Sequence, residues 1–152
     1  MSLLGSASPR QVSLGIAILR IAVGIIFVAH GYMKLFVWGI GGSTNAFAGM
    51  GVPLPGLTAP LVGVLEFFGG IALIVGVLTR LVSLGMAIDM LVAIFLVRIK
   101  GGFFAPNGAE FEILLFAASL ALVFTGAGAL SIDEARAARR TAAVGDPYAR
   151  PA

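Results

Sequence analysis

Seven ionisable side chains stand inside otherwise apolar stretches of this sequence: Arg20, His30, Lys34, Glu66, Asp89, Arg98 and Glu112. Arg20, His30 and Lys34 can donate hydrogen bonds to a carbonyl or hold an anion. Glu66 and Asp89 can take up and release protons. The same groups can also simply neutralise one another and fix helix register, which needs no ligand. Other chemistries lack their residues. With no Cys there is no disulfide, thiolate nucleophile, iron–sulfur cluster or haem-attachment motif. A single His excludes bis-His haem ligation within one chain and a three-His zinc site. Glu110 and Glu112 beside Asn107 make a poor cation cage. Gly69-Gly70 and Gly101-Gly102 lack the Lys and Ser/Thr of a phosphate loop. The expectation is a chain with no metal site and no redox metal of its own, and no catalytic residue is assigned.

The elements that must position these groups follow from composition. Of 152 residues, 59% are hydrophobic and 11% charged, and 21 glycines come in addition. A soluble domain carries about 25% charged residues, and a chain of this length buries only about 70% of the surface its unfolded form exposes. A mean hydropathy of +1.06 therefore points to the bilayer as solvent. A pI near 10.0 does not indicate nucleic acid, because the net charge is only +3 and no basic stripe exists.

A membrane span needs about 20 mostly apolar residues. Four segments qualify, at about 14–37, 57–78, 81–99 and 110–130, giving an all-α, four-helix transmembrane bundle over 14–130. Residues 1–13 form a short polar N-terminal segment and 131–152 a polar tail. In the tail, Ser131 can cap a short helix to Thr141 with Asp133 and Glu134 in its first turn. The end around Asp146-Pro147-Tyr148 reads as disordered. The first span is a permanent helix, not a cleaved signal, since Arg20 interrupts it and no small-residue cleavage site follows.

Four spans put both termini on one side. That side carries Arg10, Arg80, Arg136, Arg139, Arg140 and Arg150, against Lys34, Arg98 and Lys100 on the other, so the termini are expected in the cytoplasm of a bacterial inner-membrane, multi-pass protein. From Leu35 to Leu65 no residue is charged. Asn45 can start a short helix through Met50 in this first outer loop, and the loop is expected to fold over the outer mouth of the bundle.

A charge at bilayer depth costs about 2.5–3.5 kcal/mol on insertion scales and turns to the bundle interior or to water. Arg20, Phe27 and Lys34 share one face of the first helix, with His30 beside it. Gly63, Glu66 and Gly70 form a small-plus-polar face on the second, Gly85, Asp89 and Ala93 on the third, and Glu112, Ser119 and Gly126 on the fourth. Pairing of Arg20 with Asp89 or Glu66, and of Lys34 with Glu112 or Glu66, is expected.

Read in order, Leu19-Arg20, Gly24, Phe27, His30-Gly31 and Lys34-Leu35, then Phe47-Ala48 and Met50-Gly51-Val52-Pro53, resemble the DoxX family of small bacterial membrane proteins. The likeness continues through Glu66, Gly69-Gly70, Gly76, Thr79-Arg80, Gly102-Phe103 and Asn107-Gly108. It ends with Gly126-Ala127-Gly128-Ala129-Leu130-Ser131-Ile132-Asp133, where Ala127 replaces a family proline. It covers about residues 14–133. The resemblance implies a link to quinone-dependent respiratory or redox metabolism, with Arg20, His30 or Lys34 donating to quinone carbonyls and Glu66 or Asp89 relaying protons. Two alternatives stand beside it. One is a structural accessory subunit of a larger respiratory or photosynthetic membrane complex. The other is a small proton-coupled transporter using Glu66.

Overall fold

The computed structural model describes residues 7–144, and the far tail with Asp146-Pro147-Tyr148 lies outside them. Six α-helices occur in order: α1 Pro9–Tyr32, α2 Gly39–Gly49, α3 Pro55–Val75, α4 Thr79–Ala93, α5 Glu110–Thr125 and α6 Ile132–Val144. Three segments are long and apolar enough to cross a membrane: Pro9–Val37, Pro55–Val75 and Thr79–Gly101. The fourth expected span is a helix of 16 residues, α5.

Local chemistry sets the ends. α1 begins five residues before the expected start, because Ser8 and Gln11 form a capping box ahead of Pro9 (Ser8 N donates to Gln11 Oε1 at 2.7 Å). Leu54 is left-handed before α3, where Pro55 opens the helix and the Thr58 hydroxyl donates to the carbonyls of Pro53 and Leu54. α3 stops at Gly76, φ +70°. A Cβ there would run into Ser131 and lie 2.8 Å from Arg20 Nη1, so only glycine fits.

α1 and α4 both end in a π-turn, Met33–Val37 and Ile94–Arg98. In each the closing bond spans five residues, Trp38 N to Met33 O and Ile99 N to Ile94 O. Each π-turn carries a cation, Lys34 or Arg98. The wider turn takes in one extra residue and rotates the next residues of the chain relative to a straight α-helix.

α1 packs on α3 and α4 on α5, with α3–α4 and α1–α5 contacts joining the pairs. The α1–α3 seam is close because it is made of glycine: a Cβ on Gly70 would sit 2.7 Å from Gly24 O and from Val28 N, and one on Gly31 would strike the Phe67 backbone. The core between the pairs is Val23, Phe27, Leu73, Met86, Met90, Leu115 and Leu122. The remaining large apolar side chains, such as Ile18, Leu81, Leu114 and Phe124, face outward, the inverse of a soluble fold and the surface that lipid requires.

The first loop differs in detail from its expected form. α2 starts at Gly39 and already contains Asn45, which therefore caps nothing. What anchors it is Ser43, buried, whose hydroxyl donates to Lys34 O at 2.7 Å and ties α2 to the π-turn before it.

Candidate functional site

Arg20 lies at the end of the bundle where α1 begins and α3 and α5 finish. It is fully buried, and its expected partners, Asp89 and Glu66, are not there. Its guanidinium donates instead to backbone carbonyls: Nε to Ala127 at 2.8 Å, Nη1 to Leu73 and Ile74, Nη2 to Ala129 and Leu130. Leu73 and Ile74 lie in the last turn of α3, where a helix leaves carbonyls unpaired, and Ala127, Ala129 and Leu130 lie in the connection between α5 and α6. A planar fork with five donors suits such a cluster, whereas a carboxylate partner would leave the carbonyls unmet. Arg20 is thus a clamp on helix ends, separate from the polar groups at the other end.

The polar tail completes the same end. The Asp133 carboxylate accepts from Leu78 N and Thr79 N at 3.0 and 2.8 Å, capping α4 from a distant position, while Asp133 N donates to Gly76 O. Ser131 Oγ accepts from Glu134 N and so caps α6. Burial pushes the Asp133 carboxyl up, but the bonds from Thr79 and Leu78 and the nearby Arg136 charge outweigh it and hold the group below the usual aspartate range.

The opposite half of the bundle holds a cavity of about 520 Å³. α1 contributes Phe27 and His30 to it, the first π-turn Lys34, α3 Glu66, α4 Asp89, the second π-turn Arg98 and α5 Glu112. Six of the seven sequence-selected groups therefore line one space, and Arg20 is the exception. Lys34 Nζ meets Glu66 Oε2 at 2.5 Å, with the two side chains 14% and 4% exposed. Arg98 Nε meets Glu112 Oε1 at 2.8 Å, and Arg98 Nη1 also donates to Pro106 O. Glu112 is thus the partner of Arg98, not of Lys34. Each ion pair joins a π-turn cation to a glutamate on the next long helix. Glu110 turns away from the cavity pair and accepts from Ala105 N at 2.9 Å.

Two carboxylates keep polar atoms without a protein partner: Asp89 Oδ2 and Glu112 Oε2. His30 Nδ1 lies 2.9 Å from Ile26 O and donates to it, since a carbonyl oxygen can only accept. The His30 ring also rests on Phe111 at 5.8 Å, spanning the α1–α5 seam. Trp38, Phe47, Met50, Val52 and Pro53, from α2 and its flanks, line the cavity at its end. The sequence pointed to a cover formed by this loop. It gave no sign of the π-turns, whose only trace is a cation near the end of a long apolar run.

The DoxX family model matches residues 15–99, more than half of the chain. The chain belongs to the DoxX family. The match takes in α1 from Gly15 onward, α2 to α4 and both π-turns, hence Lys34, Glu66, Asp89 and Arg98, while Glu112 lies beyond it. Among relatives of this DoxX chain, a Bacillus subtilis (strain 168) protein named "Putative oxidoreductase CatD" is 33% identical over 82% of this chain and 88% of its own length. The inner membrane protein YqjF of Escherichia coli (strain K12) is 37% identical over 78% and 89%. The uncharacterized membrane protein Rv3486 of Mycobacterium tuberculosis (strain H37Rv) is 28% identical over 93% and 98%. No solved structure matches the chain. It is a membrane protein, and its family includes inner membrane proteins.

Proposed function

We propose that this chain is a quinone-linked subunit of the bacterial inner membrane, with the cavity between the two helix pairs as its headgroup site. The observation that carries the reading is the makeup of that cavity: apolar walls enclosing charged groups from four helices, Lys34, Glu66 and Asp89 foremost. Such a space suits a flat ring with polar edges. Lys34 supplies the donor for a quinone carbonyl, since the His30 Nδ1 hydrogen already meets Ile26 O, and Asp89, whose Oδ2 has no partner, supplies an exchangeable proton position. The relative named as an oxidoreductase supports a redox setting.

In this reading α5 is the fourth span. Its 16 residues make about 24 Å of helix, and the turns at Ala105–Ala109 and Gly126–Leu130 extend the path toward about 30 Å. The four long helices then form a bundle with both termini on one side. Arg10, Arg80, Arg136, Arg139 and Arg140 belong to that end, which faces the cytoplasm by the positive-inside rule.

The test is to purify the protein from its own membranes in mild detergent and extract it with organic solvent. About one quinone per chain is expected, and Glu66→Gln should lose it while staying folded. Quinone present only in proportion to carried-over lipid would overturn the reading. A second reading, an accessory subunit of a larger complex, draws support from the outward apolar side chains around α2, among them Phe36, Ile40 and Leu54. Co-purification of a defined larger assembly would favour it.

A further inference from the structure

The walls of the cavity differ from side to side. At its end Trp38, Phe47 and Met50 from the α2 segment line it. Across the α1–α5 seam the His30 and Phe111 rings stack. Between α3 and α4 the two halves of the seam differ. Toward the Arg20 end the helices touch closely: a Cβ on Gly69 would lie 2.7 Å from Met86 Cε, and one on Gly85 would lie 3.2 Å from Leu65 Cδ1. Beyond Gly85 the contact gives way to a cleft. Its lips are Leu61 on α3 and Ile88, Val92 and Leu96 on α4 and its π-turn. All four line the cavity, yet each is also open to the outside, Leu61 by 62% and Val92 by 45%.

We infer that the cleft between Leu61 and Val92 is a lateral gate, through which a ligand with a polar ring and a long apolar tail enters from the bilayer and in which its tail stays. The inference rests on the quinone reading for the ring and adds the route and the tail. Its occupant is set by the two environments that the cleft joins. One end opens among lipid chains, where a water-soluble ligand is scarce. The other reaches Glu66 and Asp89, where an ordinary lipid chain would leave charged groups facing hydrocarbon. A molecule with both a polar head and an apolar tail satisfies both ends.

The chain supplies its own reporter and a clean background for labelling. Trp38 is the single tryptophan and lines the cavity, and there is no cysteine. Val92→Cys protein in lipid nanodiscs is titrated, before and after capping with benzyl methanethiosulfonate, with two fully substituted benzoquinones, one carrying a decyl tail and one with methyl in its place. Quenching of Trp38 fluorescence reads binding. Leu114→Cys, capped likewise, is the control, because Leu114 faces outward on α5 away from the cavity. Capping at Val92 is expected to weaken the decyl probe about tenfold or more, the effect of forcing extra atoms into an occupied packing space, and to leave the methyl probe unchanged. Capping at Leu114 should alter neither. Equal decyl affinity in both capped proteins would overturn the gate while leaving the quinone reading intact, as would equal loss of both probes on capping Val92. If neither probe quenches Trp38 in uncapped protein, the quinone reading fails and the gate with it.

Discussion

Arg20 Nε sits 2.8 Å from the carbonyl of Ala127, 107 residues further on, and the same guanidinium reaches the last carbonyls of α3. One side chain on α1 thereby ties the end of α3 to the connection between α5 and α6. The bond count makes the expected outcome specific. Arg20→Met removes all five donors and leaves buried carbonyls unmet, each at about 1–3 kcal/mol. Folded yield in detergent should collapse. Arg20→Lys keeps the charge but offers three donors from one point, so its thermal midpoint should fall between wild type and Arg20→Met. If Arg20→Met melts like wild type, the clamp contributes nothing.

The Lys34–Glu66 pair predicts a different pattern. Both side chains are nearly dry, so removing one partner strands the other at about 3–5 kcal/mol, whereas replacing both with apolar groups costs much less. Lys34→Met and Glu66→Leu alone should each destabilise strongly, and the double variant should recover most of the loss. Thermal unfolding of the four proteins measures the coupling directly. Additive losses would mean that the two charges do not interact. Glu66→Gln should be mild, since the amide keeps shape and an acceptor.

Much of this site could be read from the sequence, and the reasons are physical. The cost of a charge in hydrocarbon forces Lys34, Glu66 and Asp89 inward wherever the helices are. The spacing of Lys34 from Phe27 was enough to put both on one face. Pairing was less legible. Arg20 has carboxylates within a plausible helix register, yet its partners are carbonyls, whose positions depend on where α3 and α5 end. The apolar runs continue to Leu78 and Leu130, whereas α3 stops at Gly76 and α5 at Gly126, both at positive φ. The π-turns were hidden for a similar reason: an apolar run through Ile94–Arg98 looks the same whether its bonds span four residues or five. Asp133 lies in the first turn of α6, as its position after Ser131 indicates, and its carboxylate also caps α4, a long-range contact that no local pattern encodes.

Asp133 predicts a pH dependence at the Arg20 end. Its carboxyl is held below the usual range when folded, so the stability it adds is complete above the unfolded value of about 3.9 and is lost as pH falls through the folded value. Asp133 should therefore leave the melting temperature independent of pH between pH 7 and pH 5, and its contribution should be lost below about pH 4. Asp133→Asn retains one acceptor for two N–H groups. It should cost about 0.5–2 kcal/mol at pH 7, the range for a lost helix cap, and should flatten the acid limb. An acid limb identical in both proteins would assign it to other groups.

The glycine seam gives a test of packing alone. Gly70→Ala places a Cβ against the backbone of Gly24 and Val28, and Gly31→Ala against the backbone of Phe67, neither of which can rotate away. Both should force α1 and α3 apart at about 1–3 kcal/mol or more. Gly15→Ala, with open space around it, should be neutral or slightly stabilising, because alanine favours helix. Equal melting temperatures for Gly15→Ala and Gly70→Ala would show that the seam is looser than its geometry.

Ser43 decides whether α2 is a fixed cover or a loose loop. Its hydroxyl is buried and donates to Lys34 O, a carbonyl within the π-turn that also carries the Lys34 charge to Glu66. α2 is otherwise held by apolar contact with α3 and the π-turn. Ser43→Ala removes the one side-chain bond that sets its register and leaves that carbonyl short of a donor, at about 1 kcal/mol. The readout is a single cysteine at Phe47, half-buried in the cavity wall, compared with one at Met50, more exposed beside it. A membrane-impermeant maleimide should label Met50→Cys readily and Phe47→Cys slowly. Adding Ser43→Ala should raise the Phe47→Cys rate several-fold and leave Met50→Cys almost unchanged, because only the first depends on the cover lifting. If Phe47→Cys is labelled as fast as Met50→Cys in the otherwise native chain, the α2 segment is open to water and does not shield the cavity.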